Sequence, residues 1–256
     1  MKSLAPRAFN REMYHDRPEN VFYGTDDGEQ DGSFGEFAAF RAHYEGVSPA
    51  RREDIHMVSV VGGLYGLNFV PLWRPKRLTF FDINPTAVTY FRIIHRLFLS
   101  SRNVEDFLRA LTEGSYEAET ESEQFVRENI RLKQRGCLPR SRGSTKRSYP
   151  ESWKIAFENF DLTQQILRDT PLEIRTEPME SESFSRWMRE QDNLWIYASN
   201  ITEFHFFDLD FADPTNLVVL QIIYPGKSQL LDLAPLSGGP VRVHCEIPLR
   251  VERIDR

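Results

Sequence analysis

Two cysteines, Cys137 and Cys245, are the only thiols in 256 residues. Neither lies in a metal-binding spacing, and two thiols do not make a disulfide framework. No metal site is expected, and a reducing, cytoplasmic location is. Long apolar runs are also missing. None approaches the roughly 20 residues that a bilayer span needs, so no membrane partner is expected. The N-terminus, MKSLAPRAFNREMYHDRPEN, lacks the apolar core of a secretion signal. Basic charge is scarce: the net charge is −6 and the isoelectric point about 5.6. That balance argues against a nucleic-acid partner. The one dense basic stretch, Arg131 to Arg147, reads as a solvated loop able to attract an anionic substrate.

What is present suits a globular α/β chain. Hydrophobic residues make up 40% and charged residues 27%, enough to build a core. Residues 1–50 are polar and aromatic by turns and read as an N-terminal arm or lid. Residues 51–256 read as one domain. Continuous apolar runs at Met57–Val61 and Leu78–Asp82 predict strands covered on both faces. A short helix follows the first, with Asn68 as its cap and Pro71 in its first turn. Asn84-Pro85 predicts a second cap, with proline at the first helical position. The helix Thr86–Leu99 has a buried stripe of Ala87, Phe91, Ile94 and Phe98, with Arg92 and Arg96 off it.

Residues of about 100–160 read as an insertion, with an acidic run at Glu117–Glu123 and a helix at Phe125–Gln134. The alternation resumes with a helix at Leu162–Arg168, a strand at Leu172–Thr176, a helix at Ser183–Gln191 and a strand at Leu194–Ser199. Leu217–Tyr224 is a fifth strand. Gln229–Leu233 and Val241–Val251 are two more, expected to pair as an antiparallel edge. The expected fold is a doubly wound, mostly parallel Rossmann-like sheet with an antiparallel C-terminal strand, an N-terminal arm and a helical or loop insertion.

The first strand runs into Gly62, Gly63 and Gly66, and the second ends on Asp82. In parallel sheets ligands bind beyond the carboxyl ends of the strands. Glycines there let a ligand lie against the main chain, and a carboxylate on the neighbouring strand can grip both ribose hydroxyls. The plainer alternative is a tight turn and a capping carboxylate. The loop is G-G-x-x-G rather than the dinucleotide fingerprint, and the short helix after it contains Pro71. A nucleoside without a pyrophosphate suits it better.

VVGGLYG and FFDIN resemble the first and second motifs of the class I S-adenosylmethionine-dependent transferases. Leu172–Thr176 running into Glu177-Pro178-Met179 is similar to the third motif, and IYASNI falls where the fourth would be. The resemblance implies S-adenosyl-L-methionine as co-substrate. It places Gly62, Gly63 and Gly66 on the methionine and ribose side and Asp82 on the ribose. It puts Ile83 at the adenine edge, Glu177 or Met179 at the base, and Ser199 and Asn200 toward the sulfonium or acceptor. The absence of an Asn-Pro-Pro-Tyr box disfavours amino-group methylation of DNA bases or protein glutamine.

The implied function is transfer to a small-molecule acceptor, with methyl transfer the expected chemistry. Transfer of the 3-amino-3-carboxypropyl arm is the alternative that Ser199, Asn200 and the insertion resemble. A noncatalytic binding or scaffold protein of the same fold is the third reading. Acceptor-side candidates are few. His205 is a possible general base, although a histidine among phenylalanines more often packs in a core. Tyr14 lies in the arm, where surface packing is the plain alternative. His244 alternates with Val243 and Cys245 and reads as structural.

Overall fold

A computed structural model describes residues 33–61, 66–134, 154–179, 181–199, 207–212, 214, 218–223, 227–236, 238–245 and 249–254. The protein is α/β, built on a mostly parallel six-stranded mixed sheet. Its strands are β1 (His56–Val60), β2 (Arg77–Asp82), β3 (Leu172–Thr176), β4 (Leu194–Ser199), β6 (Val218–Ile223) and β7 (Lys227–Asp232). Their spatial order is β3-β2-β1-β4-β6-β7. All neighbours are parallel except the β6–β7 hairpin, in which Ile223 pairs with Lys227.

Every residue of β1 is buried. Successive side chains of a strand point to opposite faces, so both faces of β1 are covered. The same reasoning locates two helices. Phe80 stacks on Phe91 of α4 (Pro85–Ser100), with ring centroids 4.2 Å apart. Its neighbour Phe81 meets Phe184 of α9 (Glu182–Arg189) at 4.7 Å. Helices α4 and α9 therefore lie on opposite sides of β2.

Residues 33–52 contribute to the body. In α1 (Ser33–Gly46), Phe40 is buried and its ring lies 5.9 Å from Phe69. The Asp232 carboxylate on β7 accepts two bonds from Arg51, at 3.0 and 2.8 Å, and lies 3.2 Å from His43 Nε2. Arg51 belongs to α2 (Pro49–Arg52). Burial works to raise the Asp232 pKa, but the His43 and Arg51 bonds prevail and hold it well below the usual range.

Within the region of about 100–160, the described residues include α5 (Val104–Glu113), α6 (Glu121–Gln134) and α7 (Lys154–Glu158), and residues 135–153, with most of the basic stretch, lie outside the described residues. Thr120 and Glu123 frame the start of α6: the Glu123 N–H donates to Thr120 Oγ1, and Glu123 Oε2 accepts the Glu119 N–H. That is close to a capping box. Glu123 also accepts from Arg96 at 3.2 and 2.9 Å. Arg96, off the buried stripe as expected, thus ties α4 to α6. Helices α5, α6 and α8 (Phe160–Asp169) all pack on α4, which widens its buried face beyond one stripe to include Val88, Tyr90, Ile93 and Leu97.

Three expectations need correction. Asn68 does not cap the helix after it, α3 (Phe69–Trp73). It is itself helical, and its Oδ1 accepts from the Ile155 and Ala156 N–H groups of α7. Val241–Val251 is not one strand but two, β8 (Val241–Cys245) and β9 (Arg250–Arg253), in antiparallel register. Finally, the antiparallel edge is made by β6 and β7. Strand β8 joins a separate three-stranded sheet, β5-β8-β9, where β5 (Phe207–Phe211) lies in a stretch not read as a strand. Phe211, Leu209, Val241, Val243 and Cys245 form its buried face, and Arg242 and His244 alternate onto the other.

Candidate functional site

Along the six-stranded sheet the chain order reverses between β1 and β4: β2 and β3 lie on one side, β6 and β7 on the other. Such a reversal opens a crevice beyond the strand carboxyl ends. Residues 62–65, which leave β1, lie outside the described residues, as do 200–206, which leave β4. Gly62, Gly63, Asn200 and His205 fall within these stretches, and Tyr14 within the undescribed N-terminal residues.

The register fixes the rim. Val60 pairs with Phe81, and the Val61 N–H donates to Phe81 O at 2.8 Å, so residue 61 stands beside Asp82. Asp82 in turn pairs with Thr176, the last residue of β3. The exit from β1, the Asp82 carboxyl and the exit from β3 therefore share one edge.

Gly66 is buried against the sheet. A methyl group built on it would overlap Ser59 Oγ, with Ser59 Cβ at 3.2 Å and the Tyr197 ring at 3.5 Å. The close approach of the returning chain to β1 and β4 requires glycine here. Ser59 is fully buried and its hydroxyl donates to Val60 O at 2.9 Å. Asn68, two residues on, is also fully buried and bonds α7. Two fully buried polar residues, Ser59 and Asn68, thus flank segment 62–65.

Asp82 is half-buried, and its Oδ1 accepts the Asn84 N–H at 2.9 Å. Asn84 then caps α4 by accepting the Thr86 N–H. A carboxylate offers about four acceptor sites, and the Asn84 N–H takes one of them. Ile83, at the bend between them, is half-buried.

At the β3 exit the expected base contacts are occupied otherwise. Met179 is 2% exposed and belongs to the core. Glu177 accepts from Arg175 Nε at 2.5 Å, Ser181 Oγ at 3.0 Å and Ser183 Oγ at 2.6 Å. Burial works to raise its pKa, but the bonds from Ser183, Arg175 and Ser181 outweigh burial and leave it lowered. Arg175 itself lies over the Trp187 ring, 4.7 Å from the centroid.

Ser199 ends β4 next to an irregularity. The β4–β6 register shifts between Tyr197 and Ser199, a bulge at the carboxyl end of the strand. Bulges re-aim side chains and are common beside sites. No sequence signal marked it.

An open groove of about 320 Å³ begins at the start of α4, three residues past Asp82. Pro85, Thr86, Thr89, Glu121, Ser122 and Phe125 line it. Phe125 is 41% exposed, the one large apolar side chain so exposed among the described residues. Among the described residues no group of three His, Cys, Asp or Glu side chains is placed to hold a metal ion, and no helix is long and apolar enough to cross a membrane.

Neither a protein family model nor a curated protein matches this chain. The rim geometry and the motif resemblance are what a functional reading has to stand on.

Proposed function

We propose that this protein is an S-adenosylmethionine-dependent transferase acting on a small molecule, with a Rossmann-like, doubly wound arrangement of its parallel sheet. One observation carries the reading: Asp82 and the exit of β1 stand side by side at the end of adjacent parallel strands, next to the reversal of strand order.

The residues fit the ligand in three respects. Gly66 packs directly on the buried Ser59, bringing the chain close to the sheet just after segment 62–65. Asp82 ends the strand next to the β1 exit and accepts the Asn84 N–H, and its carboxylate is the group we assign to the ribose diol. The Ser199 bulge ends the strand across the switch point. A bound sulfonium supplies three electrophilic carbons, and the protein's part is alignment and exclusion of water. Methyl transfer is the reading we favour. Transfer of the 3-amino-3-carboxypropyl arm is the alternative that the same site accommodates.

A noncatalytic binding role is favoured by a specific observation. Glu177 is spent on Arg175 and two serines, and Met179 on the core, so two expected ligand contacts have structural partners already.

Calorimetry with S-adenosylhomocysteine tests the nucleoside site. Wild-type protein binds, and Asp82→Ala weakens binding by about 10- to 100-fold, the effect of losing charge-assisted bonds to the ribose. Equal binding by the variant, or none by wild type, removes the proposal. The nucleoside product of turnover then separates the chemistries. S-adenosylhomocysteine reports methyl transfer, methylthioadenosine reports movement of the other arm, and no product supports the binding role.

A further inference from the structure

On the solvent side of the β5-β8-β9 sheet, His244 occupies the central strand between two carboxylates. Its Nδ1 lies 2.9 Å from Asp208 Oδ1 on β5, and its Nε2 lies 3.5 Å from Glu252 Oε2 on β9. A neutral imidazole has one N–H and one lone pair. With a carboxylate at each nitrogen, the neutral ring must aim its lone pair at one of them. The imidazolium donates to Asp208 and keeps a positive N–H toward Glu252, within ion-pair distance. The arrangement is therefore matched to the charged form alone.

We propose that His244 is a pH-sensitive fastener of this sheet: as an imidazolium it ties β5 and β9 to the central strand, and loss of its proton loosens both outer strands, which the backbone ladders and Arg242 still hold.

The surroundings set the sense of the switch. Asp208 pairs with His244 in the β5–β8 register, and Arg250 pairs with it from β9. One row along, Arg242 is held by Asp210 at 2.7 and 2.9 Å and lies 3.8 Å from Glu252 and 3.9 Å from Asp208. Arg189 of α9 acts on Asp210. Cys245 is on the buried face. The groups nearest His244 are thus two carboxylates, opposed by Arg242 and Arg250. The bond from Asp208, followed by that from Glu252, raises the His244 pKa despite partial desolvation. A folded pKa above the unfolded one means that the stabilisation is complete below about pH 6.5. It is lost as pH rises through the folded value. The wider consequence is local. β5 is the first strand after β4, so the fastener fixes the downstream anchor of segment 200–206.

Proton NMR of the imidazole Cε1–H signals across pH 5–9, on the full chain, tests this. His244→Gln identifies the signal among the 6 histidines. The expected midpoint lies above that of free imidazole and falls in both Asp208→Asn and Glu252→Gln. Amide exchange, corrected for intrinsic base catalysis, is expected to accelerate in 207–211 and 250–253 above the midpoint. The acceleration is about tenfold for each unit of pKa elevation. His244→Gln abolishes this pH dependence. A midpoint at or below that of free imidazole, or the same acceleration in His244→Gln, overturns the proposal. Neither outcome depends on what the protein binds at the β1–β2 rim.

Discussion

Gly66 shows how much one missing Cβ can matter. The chain returns from segment 62–65 directly onto Ser59 and Tyr197, and a methyl group there would meet the Ser59 hydroxyl. Overpacking of this kind costs about 1–3 kcal/mol. Gly66→Ala should lower the urea midpoint accordingly. Ser59→Ala removes the oxygen and leaves Ser59 Cβ at 3.2 Å. In that background Gly66→Ala should cost less than half as much, a coupling that a double-mutant cycle reads directly. The sequence motif suggests a ligand-side role for this glycine. Its packing role was not legible there, because Ser59 and Tyr197 belong to two different strands that the sequence does not align.

Elements show the same division. Asn84-Pro85 predicts a helix start from two neighbouring residues, and Asn84 does accept the Thr86 N–H. Asn68 carries an equally good local signal, yet it serves α7, 87 residues away. A capping signal read locally names a residue able to cap, and the fold decides which helix receives it. Asn68→Ala would leave two buried N–H groups without their acceptor, at about 1–3 kcal/mol each. Asn68→Asp retains an acceptor and should recover most of the loss in equilibrium unfolding. Strand β5 was missed because its charged positions, Asp208 and Asp210, face solvent on a sheet wet on one side. Val241–Val251 reads as one strand because apolar residues alternate along all of it, at Val241, Val243, Cys245, Ile247, Leu249 and Val251. Strands β1, β2 and β4 are legible because burial on both faces writes them as largely apolar runs.

At the scale of the whole molecule, two histidines pull stability in opposite directions with pH. His56 is buried at the start of β1, with Nε2 2.9 Å from Thr79 Oγ1. Burial, then the nearby Arg77, lowers its pKa to about 4. A lowered histidine pKa means the unfolded chain binds the extra proton between about pH 6.5 and about pH 4. Stability therefore falls on acidification through that window, by up to about 3 kcal/mol at one unit per 1.36 kcal/mol. Asp232, whose pKa is lowered, adds loss below about pH 3.9. Thermal unfolding should show the acid-side slope, and His56→Gln, able to keep the Thr79 bond, should flatten it between pH 6.5 and 4. His244 acts in the other sense above pH 6.5. The most stable pH is expected to lie between the two transitions.

Cys245 turns the smaller sheet into its own reporter. Its thiol faces the apolar side of β8, 4% exposed, and burial pushes its pKa far up. Thiolate is the species that maleimides and disulfide reagents attack. In a Cys137→Ser protein, alkylation therefore waits for β8 to part from its covering layer. The labelling rate becomes a clock for that opening, readable by mass alone and at any pH where the reagent survives.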